Sequence, residues 1–203
     1  MARRTNEQAQ QTRENILRGA LDVFSEKGFS RSTLSDIAKR IGMTRGAVYW
    51  HFKDKQELLV ELIEAMHLWE YELLYQRVPT VDTLEDLERQ FQARVDFLDS
   101  DPKFRQFIRF MSMQVEWATE KRIFDHLRDG NLRNTPFRDF ERVLTQEQQR
   151  GRVRPEVDVA EICDILVGLF TGMVRLYLSG MSKRPLECSM KTAVRGVLDS
   201  IRA

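Results

Sequence analysis

Tyr49, Trp50, His51 and Phe52 are four ring-bearing residues in succession. At about 100° per residue, four of them sweep about 300° of a helix surface, so they cannot all be buried and some rings must face a partner. Two cations stand nearby, each where a helix dipole disfavours it: Arg45, just after a Thr44 cap, and Lys55, just after Asp54. Such a placement costs about 0.3–1 kcal/mol. A bound phosphate reverses the sign, because helix N-termini attract anions and an Arg or Lys adds to that field. The chemistry on offer is recognition of a polyanion. Gly46, inside the same short helix, costs about 1 kcal/mol relative to Ala, which is explained if another backbone must come close there.

Nothing comparable is set up for bond-making. The chain holds no nucleophile elbow, no His or Cys paired with a base and no phosphate loop, so an enzyme is not expected. Cys163 and Cys188 cannot build a disulfide framework, and with His51, His67 and His126 they form no metal-ligand spacing. No cofactor or metal is expected. No apolar run approaches the roughly 20 residues a membrane span needs, and the first residues lack the apolar segment of a secretory signal; the expected location is the cytoplasm, away from the membrane. The formal net charge of +1 is unevenly spread: residues 1–57 carry +4 and the remainder −3. A basic head on an acidic body agrees with a head that meets a polyanion.

The elements that must position the rings and cations are helices, since apolar residues recur at three and four and no hairpin signal separates alternating runs. The expected architecture is all-α. A first helix runs from about Gln10 to Lys27 with Ile16, Leu17, Ala20, Leu21 and Phe24 inward, a polar face without signal, and Gly28 as its left-handed cap. Met1 to Gln11 has no apolar stripe and reads as a frayed tail. A short helix opens at Thr33, with Asp36 completing a capping box, and buries Leu34, Ile37, Ala38 and Ile41 before stopping at Gly42. A third opens at Thr44 and turns Val48 and Phe52 inward. This is the spacing of a helix-turn-helix: Ala38 permits a close crossing, Gly42 supplies positive φ, and Val48 pins the second helix.

Asp54 and Glu57 launch a long amphipathic helix to about Gln76, the connector between a head of residues 1–58 and a body of residues 59–203. Longer helices follow, at about Leu84–Asp99, Pro102–Thr119, Lys121–Asp129, Pro136–Arg150, Val157–Leu178 and Leu186–Ile201.

Thr33 to Leu58, and above all T-R-G-A-V-Y-W-H-F-K-D-K from Thr44 to Lys55, resemble the DNA-binding domain of TetR-family repressors, with wording similar to the AcrR-like branch associated with multidrug efflux. The resemblance covers about the first 60 residues; the later helices fit the family's ligand-binding domain in number and length. It implies a three-helix head whose third helix enters the major groove of double-stranded operator DNA, with Arg45, Gly46 and Ala47 nearest base edges. It implies phosphate contacts from Tyr49, His51 and Lys55, Trp50 against sugar or base, and Thr33 with Ser35 anchoring the preceding helix. Arg45 is the expected base reader, since its fork suits guanine O6 and N7.

The body is expected to dimerise and to bind a ligand. Val157–Leu178 is apolar on more than one stripe, with Gly168 and Gly172 four apart, which suggests pairing with a second copy. In TetR-like proteins the last two helices form the dimer interface, and the expected residues are Ile165, Gly168, Gly172, Leu176, Val194 and Leu198. The middle helices are dense in rings and thioethers, which suit a small lipophilic effector. The expected pocket residues are Phe104, Phe107, Met111, Gln114, Trp117, Phe137, Phe170, Met173 and Tyr177. The reading is thus a homodimeric, ligand-released repressor of an efflux operon. A TetR-type activator or ligand-independent regulator, and a helical protein-binding adaptor, are the alternatives.

Overall fold

The computed structural model describes residues 2–115 and 138–203, and every element in them longer than an isolated bridge is a helix. In chain order they are α1 (Ala2–Lys27), α2 (Leu34–Arg40), α3 (Arg45–His51), α4 (Lys55–Arg77), α5 (Leu84–Ser100), α6 (Pro102–Met113), α7 (Arg138–Gln149), α8 (Val159–Leu178) and α9 (Leu186–Ile201). They fall into two compact units, the first made of residues 2–66 and 106–115, the second of residues 67–105 and 138–203. The division runs through α4, between Met66 and His67.

In the first unit the apolar stripe of α1 closes on α2 and α3: Ile16, Ala20, Phe24, Ile37, Val48 and Phe52 are all buried. Phe24 meets Phe29 edge-on and stacks on Phe110. Local signals set the helix ends. The Thr33 and Asp36 side chains cap α2 reciprocally, Thr44 Oγ1 accepts from the Ala47 N–H at 3.2 Å, and Asp54 accepts from the Glu57 N–H at 2.7 Å. Gly42, at φ +69, makes the turn between α2 and α3 as its position predicts.

Two expectations are corrected here. α1 begins at Ala2 and not near Gln10: residues 2–9 hold no Gly or Pro, and extending a helix already nucleated by buried Ile16 adds a hydrogen bond per residue at small cost. α6 stops at Met113, short of Thr119, because Gln114 donates its amide to the Ser25 carbonyl (3.0 Å) and Val115 enters the first unit's core. The expected helix at Lys121–Asp129 lies outside the described residues.

Gly19 carries a further constraint. A Cβ built there would collide with the Cγ2 of Ile41, at the end of α2. Gly19→Ala gains about 1 kcal/mol of helix propensity but must displace that branch, and overpacking costs about 1–3 kcal/mol. The expected result is a net destabilisation of up to about 2 kcal/mol; a raised urea midpoint would show that Ile41 yields freely.

In the second unit α9 packs on α5 and α8, and α7 lies against both α5 and α8. Phe91 contacts the rings of Phe140 and Phe170, while Phe97 gathers Trp69 and Phe104. An ion pair lies in this interior: Arg94, 1% exposed, donates from Nε to Glu70, 3% exposed, at 3.2 Å, and from Nη1 to the Oε1 of Gln90 at 3.5 Å. Burial drives the Glu70 pKa up against the pull of Arg94. Burial and the charge of Arg94 lower His67 to about 4, so its ring is neutral at pH 7.

The outward faces of α8 and α9 correct part of the dimer expectation. Ile165 and Leu176 are exposed at 42% and 48%, and Gly168 and Gly172 lie beside them in open space. Val194 and Leu198 instead are buried within their own unit at 0% and 2%, on the inward face of α9, and offer no surface to a second chain. The outward stripe, on the opposite side of the helix, is Cys188, Thr192, Gly196 and Ser200.

Candidate nucleic-acid interface

With Val48 and Phe52 locked inward, the remaining faces of α3 are presented outward. Tyr49 is 44% exposed and Trp50 76%, a large apolar area to leave in water. Thr44, Arg45 and Gly46 are exposed, and nothing lies within 4 Å of where a Gly46 Cβ would stand. The Arg45 guanidinium lies over the Tyr49 ring, 5.1 Å from its centroid, with Nη2 3.4 Å from the hydroxyl. Trp50 meets His51 edge-on. His51 is half-buried; burial and then the charge of Arg13 lower its pKa, which favours the neutral ring with one N–H to give. Thr33 and Ser35 are exposed at the start of α2, beside this helix. Two short capped helices crossing at a left-handed glycine, with a cation and two rings on the second, are built to enter a groove and not to complete a core.

Comparison with known proteins gives the same answer. The profile of the bacterial regulatory proteins of the tetR family matches residues 16–62. HTH-type transcriptional repressor BepR of Brucella suis is 28% identical over 99% of this chain and 97% of its own length. HTH-type transcriptional regulator TtgW of Pseudomonas putida is 35% identical over 56% of this chain and 82% of its own. The chain belongs to the TetR family. Among solved structures, NalD, the secondary repressor of the MexAB-OprM multidrug efflux pump in Pseudomonas aeruginosa, superposes with a TM-score of 0.78 at 25% identity, covering 96% of this chain and 97% of that one. SmeT, the repressor of the Stenotrophomonas maltophilia SmeDEF multidrug efflux pump, solved with triclosan, gives 0.78 at 27% identity, covering 95% and 92%. This TetR-family protein is therefore a DNA-binding transcriptional regulator.

One residue of the expected interface is used differently by this TetR-family head. Lys55 was expected to reach phosphate; its Nζ is instead held by the carbonyls of Phe29 and Ser30, each at 2.9 Å, and of Ser32 at 3.4 Å, over the Phe29 ring. An ammonium has three protons to give, and three carbonyls take them. Lys55 fastens the α1–α2 loop to the start of α4, and the exposed cation at this corner is Lys53.

Sequence reasoning also passed over Arg13, on the face of α1 that seemed without signal. Its guanidinium grips both carboxylate oxygens of Glu61 on α4, donates from Nη1 to the carbonyl of His51 at 3.0 Å, and lies 4.5 Å over the Phe52 ring. One side chain thus ties α1 and α4 to the last turn of α3. Arg13 and Glu61 are 48 residues apart, so no local pattern announces the pair.

The expected effector residues divide between the two units. Phe107 is core in the first, with Met111 half-buried against it and Gln114 bonded to Ser25. In the second, Phe104 belongs to the Trp69–Phe97 cluster, Phe170 to that of Phe91, Met173 is half-buried, and Tyr177 donates to Asp99 at 2.8 Å. Trp117 and Phe137 lie outside the described residues.

Proposed function

We propose that the protein is a homodimeric repressor of a multidrug-efflux operon, with residues 1–58 gripping a pseudo-palindromic operator and residues 59–203 dimerising and receiving a small lipophilic effector that releases the DNA. The observation that carries the reading is the outward face of α3, where Arg45, Tyr49 and Trp50 are exposed on a helix whose other face is fixed in the core. Arg45, Gly46 and Ala47 read base edges; Tyr49 and His51 meet phosphates; Trp50 packs on sugar or base; Thr33, Ser35 and Thr44 anchor the helix starts. The outward stripe of Ile165, Gly168, Gly172 and Leu176 supports pairing with a second copy, which sets two recognition helices about 34–36 Å apart for successive major grooves. The efflux role is supported by NalD and SmeT, and the effector by the triclosan held in SmeT. In the described residues no helix is long and apolar enough to cross a membrane.

The test is binding to the DNA upstream of the protein's own gene across a salt series. Wild type is expected to bind as a dimer, weakening steeply with salt. Arg45→Ala is expected to lose about tenfold in affinity together with base preference, and Tyr49→Ala to lose affinity for all sequences alike. Wild-type affinity in both variants would remove α3 as the reading helix.

A further inference from the structure

The second unit contains a cleft of about 310 Å³ that the DNA-binding reading leaves unused. Tyr71, Leu74 and Tyr75, on the last turns of α4, form one wall, and the cleft reaches inward to Gln90 and Arg94 on α5. Its volume lies at the lower end of the range for small-molecule sites, which combine apolar walls with a few placed polar groups. Apolar and polar groups share the lining about equally; on its aromatic side the Tyr71 and Tyr75 rings stack with centroids 6.3 Å apart, and Tyr75 is 56% exposed.

Gln90 supplies the polar group. It is 5% exposed, and its Oε1 accepts from Arg94, which fixes its amide NH₂ as the other end of the group. That NH₂ has no partner among the described residues. An amide donor that opens on a cleft without a protein partner is satisfied by whatever acceptor enters it. Arg94 lines the same depth with its guanidinium donors, its charge offset by Glu70. Arg142 bonds Asp82 at 3.0 Å and Asp139 at 3.1 Å, which offsets the two carboxylates of the lining.

We propose that this cleft is the effector site, and that it selects a small planar aromatic molecule carrying a strong acceptor oxygen, such as that of a carboxylate or phenolate, which accepts from the Gln90 amide beside Arg94 while its ring packs on Leu74 and Tyr75. The inference rests on the ligand-released repressor reading above and specifies its ligand. An aromatic ammonium of the same size has no acceptor to offer the Gln90 amide and binds less tightly.

The experiment is calorimetric titration of the full-length protein with salicylate and, as the ring-matched cation, benzylamine. Salicylate is expected to bind one site per chain, at least tenfold more tightly than benzylamine. Gln90→Leu should weaken salicylate at least tenfold, and Tyr75→Ala, at an exposed wall, several-fold with an unchanged circular dichroism spectrum. Should Gln90→Leu fail to fold, Tyr75→Ala and Thr80→Trp, which fills the mouth, decide the matter. Absence of saturable salicylate binding, equal binding of benzylamine, or wild-type binding in the folded variants overturns the proposal. A protein that grips its operator yet ignores salicylate loses the cleft and keeps the repressor reading; one that binds salicylate through Gln90 but no DNA does the reverse.

Discussion

Arg94→Leu is expected to destabilise the protein by about 3–5 kcal/mol, the usual cost of removing one partner from a buried ion pair. Glu70, 3% exposed, would keep its carboxylate in the interior without the guanidinium that now offsets its burial. The loss should depend on pH. Burial already raises the Glu70 pKa above its ordinary value, with Arg94 pulling the other way, so removing Arg94 raises it further. The folded variant then binds more protons than the unfolded chain once pH exceeds the unfolded value of about 4.3, and stability falls as pH rises through the folded value. Urea midpoints should therefore show a larger deficit at pH 8 than at pH 5. The double variant Glu70→Leu, Arg94→Leu is expected to recover most of the loss, because well-packed apolar replacements of a buried pair are often neutral or better. A single variant as stable as wild type at pH 8 would mean that water reaches Glu70 freely.

Arg13→Ala is expected to weaken operator binding about 30-fold while leaving the protein folded. The substitution removes a two-pronged grip on Glu61, the bond to the His51 carbonyl and the cover over Phe52. Hydrogen bonds to charged groups contribute about 1.5–3 kcal/mol each when shielded. The Arg13 and Glu61 side chains are 33% and 26% exposed, so about 2 kcal/mol in all is the reasonable figure after screening, and that much free energy lost from the fixed orientation of α3 is about 30-fold in affinity. A positioning residue differs from a contact residue in its salt response. Losing a phosphate contact lowers the slope of affinity against salt by about one, whereas Arg13→Ala should displace the line and leave its slope unchanged. Arg13→Lys should not rescue, because an ammonium cannot reproduce the fork. Wild-type affinity in Arg13→Ala would sink the idea that this clamp orients the recognition helix.

Elements that depend on near neighbours are legible in the order of residues alone. Caps at Thr33, Thr44 and Asp54 are contests between a side chain and a backbone N–H two or three residues away, and the left-handed turn at Gly42 is a property of one residue's missing Cβ. The inward facing of Val48 and Phe52 follows from helical periodicity, and the exposure of Tyr49 and Trp50 follows from that in turn, so the exposed face of α3 is legible in the sequence. The TetR-family resemblance from Thr44 to Lys55 rests on the same short stretch.

What distant residues do to one another emerges with the packing of the helices. Lys55 looked free for phosphate because nothing nearby in the chain claims it; the carbonyls that do belong to a loop 23–26 residues earlier. Arg13 looked idle because its partner is on another helix. Gly19 was a detectable signal, a glycine inside a helix, but that Ile41 is what requires it emerges only from packing. Val194 and Leu198 share helical spacing with an interface stripe, and periodicity shows that a helix has an apolar face without showing whether that face meets its own chain or another. The effector residues were chosen by type alone, whereas the Gln90 amide is defined by which acceptor Arg94 takes and which donor is left over. Backbone geometry and capping are local and written in order along the chain; burial, pairing and vacancy are set by long-range packing, which depends on every helix at once.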